Sequence, residues 1–154
     1  MRRSEKACDD KILLSNFLSA AQILHLAMPV MDVHPYIVPL NYVYDGNFYV
    51  HSATEGRKIS LLRTNPLAGF AVCEQLHIRV SKDNPCATGT SYKSVVGKVE
   101  ASFIENNENK TEILNMLMAK YVNSPPLFYK DKALNKLLII KLKVLEMTFK
   151  IDLR

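Results

Sequence analysis

The chain has 154 residues, of which 48% are hydrophobic and 23% charged, and its formal net charge is +5. That length supports one core, and so one domain over residues 1–154, and the composition excludes a disordered or low-complexity chain. The basic excess suits an anionic small ligand rather than nucleic acid, because the lysines and arginines are scattered and no aromatic-interleaved basic run occurs.

Arg2, Arg3 and Lys6 open the chain, but Asp9, Asp10 and Lys11 follow before any apolar run, which does not fit a signal peptide. From Asp9 to about Ala21, Ile12, Leu13, Phe17 and Leu18 recur at helical spacing, with acidic residues at the front where the helix dipole favours them. Ile23 to Met28 reads as a strand ending at Pro29. The longest apolar stretch, Ile23 to Met31, is too short to span a bilayer and carries His25 and Pro29. A cytoplasmic protein with no membrane partner is expected.

Tyr36, Val38, Leu40, Tyr42 and Tyr44 alternate along one strand face, and Phe48, Val50 and Ser52 along the next, with Asp45-Gly46-Asn47 as the turn of a hairpin. A short charged helix follows Thr54 and stops at Asn65-Pro66. Leu67 to about Val80 is a long strand. The loop Ser81 to Gly89 leads to a strand whose Val95, Gly97, Val99, Ala101 and Phe103 share a face. Asn109-x-x-Glu112 has the form of a capping box, opening a helix with the stripe Ile113, Leu114, Leu117, Tyr121 and broken by Asn123-Ser124-Pro125-Pro126. In the last strand Leu138, Ile140, Leu142 and Val144 face one way and Lys141 and Lys143 the other. Six strands at hairpin or short-loop separation, without βαβ alternation, give a mainly β (α+β) antiparallel sheet or barrel with three peripheral helices.

The chemistry concentrates at His51-Ser52-Ala53-Thr54-Glu55-Gly56-Arg57-Lys58, where a strand gives way to a helix. Unpaired backbone N–H groups at the helix start, the hydroxyls of Ser52 and Thr54, a glycine and two cations make a phosphate cradle. The same residues also fit a capped helix with a charged first turn. Pro39, in Val38-Pro39-Leu40-Asn41, marks an edge or a bulge, which leaves backbone groups and the Asn41 amide for the rim of a planar heterocycle; edge protection alone also accounts for it. His25, His34, His51 and His77 lack metal-ligand spacing, so no metal is expected. Cys8, Cys73 and Cys86 are odd in number and far apart, which fits neither a disulfide framework nor a CxxC site.

The run PYIVPLNYVYDGNFYVHSATEGRKISLLRTNP, then a cysteine-bearing loop, then SYKSVVGKVEA, closely resembles the FMN-binding split-barrel proteins related to pyridoxamine-phosphate oxidase, and most nearly their nitroimidazole-resistance (Nim-type) branch. The shared features are an MRR-like start, a Pro-Tyr-x-Val-Pro-Leu-Asn strand, an aromatic-His-Ser-Ala-x-x-Gly-Arg-Lys turn and a Tyr-x-Ser-Val-x-Gly strand, in the same order from Met1 to about Tyr121. The resemblance implies a six-stranded antiparallel split β-barrel that forms a homodimer and binds FMN. Arg57, Lys58 and Ser52 would hold the phosphate. Val38, Pro39, Leu40 and Asn41 would line the ring, and Ser94 and Val95 would complete the site from either subunit. His51 would face the substrate side as a catalytic residue. The implied activity is reduction of a small electron-poor substrate by flavin, with NAD(P)H or another electron donor; a non-catalytic flavin- or haem-binding protein of the same fold is the alternative. Two departures stand out: Cys86 is followed by Ala87-Thr88-Gly89, without the aromatic a couple of positions on, and the strand motif that commonly ends Gly-x-Gly here reads Gly97-Lys98-Val99. The Arg-x-His substrate signature of pyridoxamine-phosphate oxidation is missing from the C-terminal Phe149 to Arg154.

Overall fold

The computed structural model describes residues 4–31 and 34–153. Met1, Arg2, Arg3 and Arg154, which entered the sequence comparison, lie outside the described residues. In chain order the elements are α1 (Lys11–Ala20), β1 (Ile23–Met28), β2 (Tyr36–Asn41), β3 (Val43–Tyr44), β4 (Phe48–Ala53), α2 (Arg57–Thr64), β5 (Leu67–Arg79), β6 (Gly89–Ile104), α3 (Asn107–Val122), α4 (Asp131–Leu134) and β7 (Leu137–Asp152). The strands form one sheet in the order β2-β1-β5-β6-β7-β4-β3, and every neighbouring pair is antiparallel. The mainly β architecture with peripheral helices is therefore as the sequence indicates. Among the described residues no helix is long and apolar enough to cross a membrane.

Strands β2 and β3 stand at opposite ends of this order, yet only Tyr42 separates them in the chain. The sheet must curl until its two ends nearly meet, which makes an open, split barrel. The strand expected to run unbroken from Tyr36 to Tyr44 is thus two strands, and the count is seven rather than six. The expected hairpin shrinks to Val43↔Tyr49 and Tyr44↔Phe48, while β2 pairs with β1 from Tyr36↔Met28 to Asn41↔Ile23. The break has a specific cause. The Tyr42 N–H donates to the Tyr121 hydroxyl at 2.9 Å instead of to a strand. That hydroxyl in turn lies 2.5 Å from the Gln22 carbonyl and 3.1 Å from the Tyr42 carbonyl. The Tyr42 ring is fully buried, its own hydroxyl donates to the Leu18 carbonyl at 2.8 Å, and the Lys120 ammonium sits 3.7 Å from the ring centroid. Because Tyr42 and Val43 are both buried, side-chain alternation slips by one at this point.

Asp10 caps α1 by accepting from the Ile12 and Leu13 N–H groups, and Phe17 of that helix stacks on Phe149 of β7 at 5.6 Å. Phe48 lies at the centre of the barrel, 5.3 Å from Tyr42 and 4.8 Å from Phe70 between ring centroids. Helix α3 starts before the expected capping box, since the Asn106 side chain already accepts from the Glu108 and Asn109 N–H groups. Asn109 and Glu112 therefore lie inside the helix. On β7, Leu138, Ile140 and Leu142 enter the main core as the alternation indicates. Ile139, on the opposite face, is buried as well, in a second cluster with Val43, Ile113 and Leu117 of α3. Gly97 is required by close approach: a Cβ there would fall 2.1 Å from the Glu146 carbonyl oxygen.

Tyr121→Phe is expected to lower the unfolding free energy by about 1–3 kcal/mol, because it leaves the buried Tyr42 N–H without its acceptor. A urea titration followed by circular dichroism reads this as a lower midpoint, and an unchanged midpoint would mean that the N–H is satisfied without Tyr121.

Candidate functional site

The split leaves two strand edges unpaired. Among the described residues β2 pairs only with β1, and β4, which pairs with β7 along its length, meets β3 only at Phe48 and Tyr49. The free side of β2 and the free stretch of β4 from Val50 to Ala53 thus offer backbone N–H and C=O groups that no ladder consumes. A proline is tolerated within β2 because the strand is an edge, and Pro39 sits opposite His25 there.

Between these edges lies an open cavity of about 480 Å³. Tyr36, Val38, Pro39 and Leu40 line it from β2, His51, Ser52 and Ala53 from β4, and Glu55, Gly56, Arg57 and Lys58 from the turn into α2. The turn is possible because Gly56 adopts φ 120°, a conformation that disfavours any residue with a Cβ. Gly56 is also the N-cap of α2 and supplies no side-chain acceptor, so the first N–H groups of the helix are left for a ligand.

Two cations flank that helix start. The Arg57 guanidinium carbon lies 4.8 Å from the Tyr36 ring centroid. Lys58 is half-buried, and burial lowers its pKa from the ordinary lysine value. Among the described residues neither cation forms an ion pair. Positive charge with no ion-pair partner among the described residues, uncapped backbone donors and Ser52 of β4 thus line one cavity, a set of groups that suits an anion.

The remaining expected residues fall outside this cavity. Asn41 is exposed at the end of β2, and its side chain is not part of the lining. Ser94 and Val95 are on β6, separated from β2 by β1 and β5. Val95 is fully buried in the core, so its side chain is closed to a ligand of this chain, and Ser94 is half-buried between Cys73 and Lys150. Tyr36 was missed as a lining residue, although it shares the β2 face with Val38 and Leu40 and the period-2 pattern already reached it.

A second cavity, about 660 Å³, opens on the outer face of the sheet. His25, Ile37, Val96 and Met147 are among its lining residues, and Lys98 there forms a 2.9 Å ion pair with Glu146. An apolar trough lined by Pro29, Pro35, Leu67 and Leu145 adjoins it. Ile37, Leu67, Val96 and Leu145 are each about half exposed, a concentration of apolar surface on one sheet face.

Comparisons with known proteins bear on the fold and the family. A candidate 5-nitroimidazole antibiotic resistance protein from Bacteroides thetaiotaomicron superposes with a TM-score of 0.79 at 26% identity, over 94% of this chain and 85% of that one. A flavocytochrome from Azotobacter vinelandii gives a TM-score of 0.83 at 18% identity, over 100% and 72% of the two chains. An FAD- and haem-binding protein from Mycobacterium smegmatis gives 0.84 at 17% identity, over 97% and 74%. The latter two likenesses speak to fold alone. No curated protein matches in sequence. The family model described as pyridoxamine 5'-phosphate oxidase matches residues 13–151, nearly the whole chain, and the protein therefore belongs to the pyridoxamine 5'-phosphate oxidase-like family.

Proposed function

We propose that this chain is a one-domain flavoprotein that holds FMN in the split between β2 and β4 and works as an oxidoreductase on a small electron-poor substrate. The observation that carries the reading is a pair of cations, Arg57 and Lys58, that have no ion-pair partner among the described residues and stand at the uncapped start of α2. They suit a single phosphate monoester, which favours FMN over a dinucleotide. Arg57 offers a bidentate fork and Lys58 a point charge, while Ser52 adds a hydroxyl. Val38, Pro39 and Leu40 would pack along the ring system, and the free β2 and β4 edges would hydrogen-bond its polar rim. Bound flavin would supply the redox chemistry, fed by NAD(P)H or another donor. His51, exposed at the cavity wall, would hand a proton to the substrate. Likeness to the Bacteroides protein supports a nitroaromatic as one substrate class.

The apolar outer face is the surface we assign to a second copy of the chain, giving a homodimer. Ser94 and Val95 would then bear on the flavin only through the partner subunit's approach. A haem-binding role is the second reading. It is favoured by His25 and Met147, two side-chain types that ligate haem iron, on the lining of the outer cavity.

A visible spectrum of the purified protein separates these readings, since flavin absorbs in the blue and near-ultraviolet and haem gives an intense Soret band. FMN titration of the apoprotein, with sedimentation on the same sample, should give one FMN per chain in a dimer. Arg57→Ala/Lys58→Ala should weaken FMN at least about a hundredfold, the scale of two lost charge-assisted hydrogen bonds. A colourless protein indifferent to FMN would sink the flavin reading.

Affinity should also fall with rising pH, because Lys58 attracts phosphate only in its ammonium form. Burial lowers the Lys58 pKa, so the apoprotein loses that charge below the ordinary lysine range. FMN affinity is therefore full below the lowered Lys58 value and declines as the pH climbs through it. Lys58→Arg, which stays charged, should flatten the decline; an equal decline in both proteins would assign it elsewhere.

His51→Ala in flavin-loaded protein should cut turnover about a hundredfold with FMN affinity nearly unchanged. Unaltered turnover would remove His51 from the chemistry.

A further inference from the structure

We infer that Tyr36 is a positioning residue of the anion cradle, holding the Arg57 guanidinium across the split with its N–H rim free for phosphate. The inference rests on the FMN reading and adds a residue that neither the local turn motif nor the charge pattern singles out.

Arg57 is the first residue of α2 and is exposed, and among the described residues no carboxylate pairs with it. A long exposed side chain in that setting samples many rotamers, and a ligand that fixes it must oppose that freedom. The structure supplies a restraint in advance. The guanidinium carbon lies 4.8 Å from the centroid of the Tyr36 ring, within cation–π range. The ring is itself held, because Tyr36 pairs with Met28 in the β1–β2 ladder and packs partly buried against the main core.

Stacking on an aromatic occupies a face of the guanidinium plane. The N–H donors radiate around its rim, so the cation can rest on Tyr36 and still grip a phosphate bidentately. A lysine at position 57 could not do both in this way. The contact also spans the split. Tyr36 belongs to β2, at one end of the sheet, while Arg57 follows β4, near the other end. One pair therefore sets the arginine's aim and ties the two lips of the cavity together.

Two other roles for Tyr36 have to be separated from this one: direct contact with the flavin ring, and packing alone. A double-mutant cycle does so, because a residue acting through Arg57 loses its effect once Arg57 is gone. FMN and riboflavin, which lacks the phosphate, would be titrated by flavin fluorescence into full-length wild type, Tyr36→Leu, Tyr36→Phe, Arg57→Ala and Tyr36→Leu/Arg57→Ala, with a thermal melt of each. Tyr36→Leu should weaken FMN about five- to tenfold, and Tyr36→Phe, which keeps the ring, should restore nearly all of it. Riboflavin affinity should not change, and Tyr36→Leu should cost less than about twofold in the Arg57→Ala background. Equal losses for FMN and riboflavin, or equal losses with and without Arg57, would overturn the inference and leave the FMN reading standing. So would unchanged FMN binding by Tyr36→Leu. A wild-type protein that binds neither flavin would overturn both together.

Discussion

The hydroxyl of Tyr121 is the point on which the architecture turns. It accepts the Tyr42 N–H and lies within reach of the Tyr42 and Gln22 carbonyls, so backbone groups that would otherwise demand a neighbouring strand are met by one side chain from α3. With that residue satisfied off the ladder, the chain passes from one end of the sheet to the other in a single step. The sheet curls almost shut but cannot pair its own ends. Buried backbone groups have to be satisfied somewhere, and edges that stay open must be protected or used. Here β2 carries Pro39, and the two open edges face a shared cavity rather than bare solvent. The gap that the fold cannot close becomes the place where a ligand can sit.

Electrostatics gives the gap its preference. The molecule satisfies its inward charges elsewhere: Lys6 and Asp152 form a buried ion pair that joins the N-terminal segment to the end of β7, and Lys110 donates to the Leu134 carbonyl at the end of α4. Among the described residues Arg57 and Lys58 have no such partner, and burial lowers the Lys58 pKa. Positive charge left uncancelled beside uncapped helix N–H groups has one natural complement, a compact anion. The carboxylate of Glu55 on the same rim forms no ion pair with either cation, so the cradle's charge stays available to a ligand.

Much of the local chemistry was legible in the sequence. Strand β1 has the bounds that its apolar run and Pro29 indicate, α1, expected from Asp9 to about Ala21, runs from Lys11 to Ala20, and α2 ends at Thr64, with Asn65 as its C-cap before Pro66. The break at Tyr42 was not legible, because its partner lies 79 residues away on another element. Burial of Ile139 escaped for a similar reason: only when α3 lies across β7 does that face become interior. The capping-box spacing of Asn109 and Glu112 put the start of α3 too late, because Asn106 caps the helix without a Glu or Gln three residues on. At the site, Val38, Pro39, Leu40, His51, Ser52, Arg57 and Lys58 could be named from an edge strand and a strand-to-helix turn, and the fold brings them to one cavity. Ser94 and Val95 rested on resemblance rather than on a local pattern, and within this chain two strands, β1 and β5, lie between them and β2.

The central claim is that the unpaired edges and the start of α2 act together as one flavin site. Amide hydrogen exchange, measured on the apoprotein with and without saturating FMN, tests it most directly. The account predicts new protection in three separate stretches at once: Val38 to Asn41, Val50 to Ala53, and Gly56 to Ile59. Protection confined to the outer sheet face around Val96 and Met147, or no change at saturation, would contradict it.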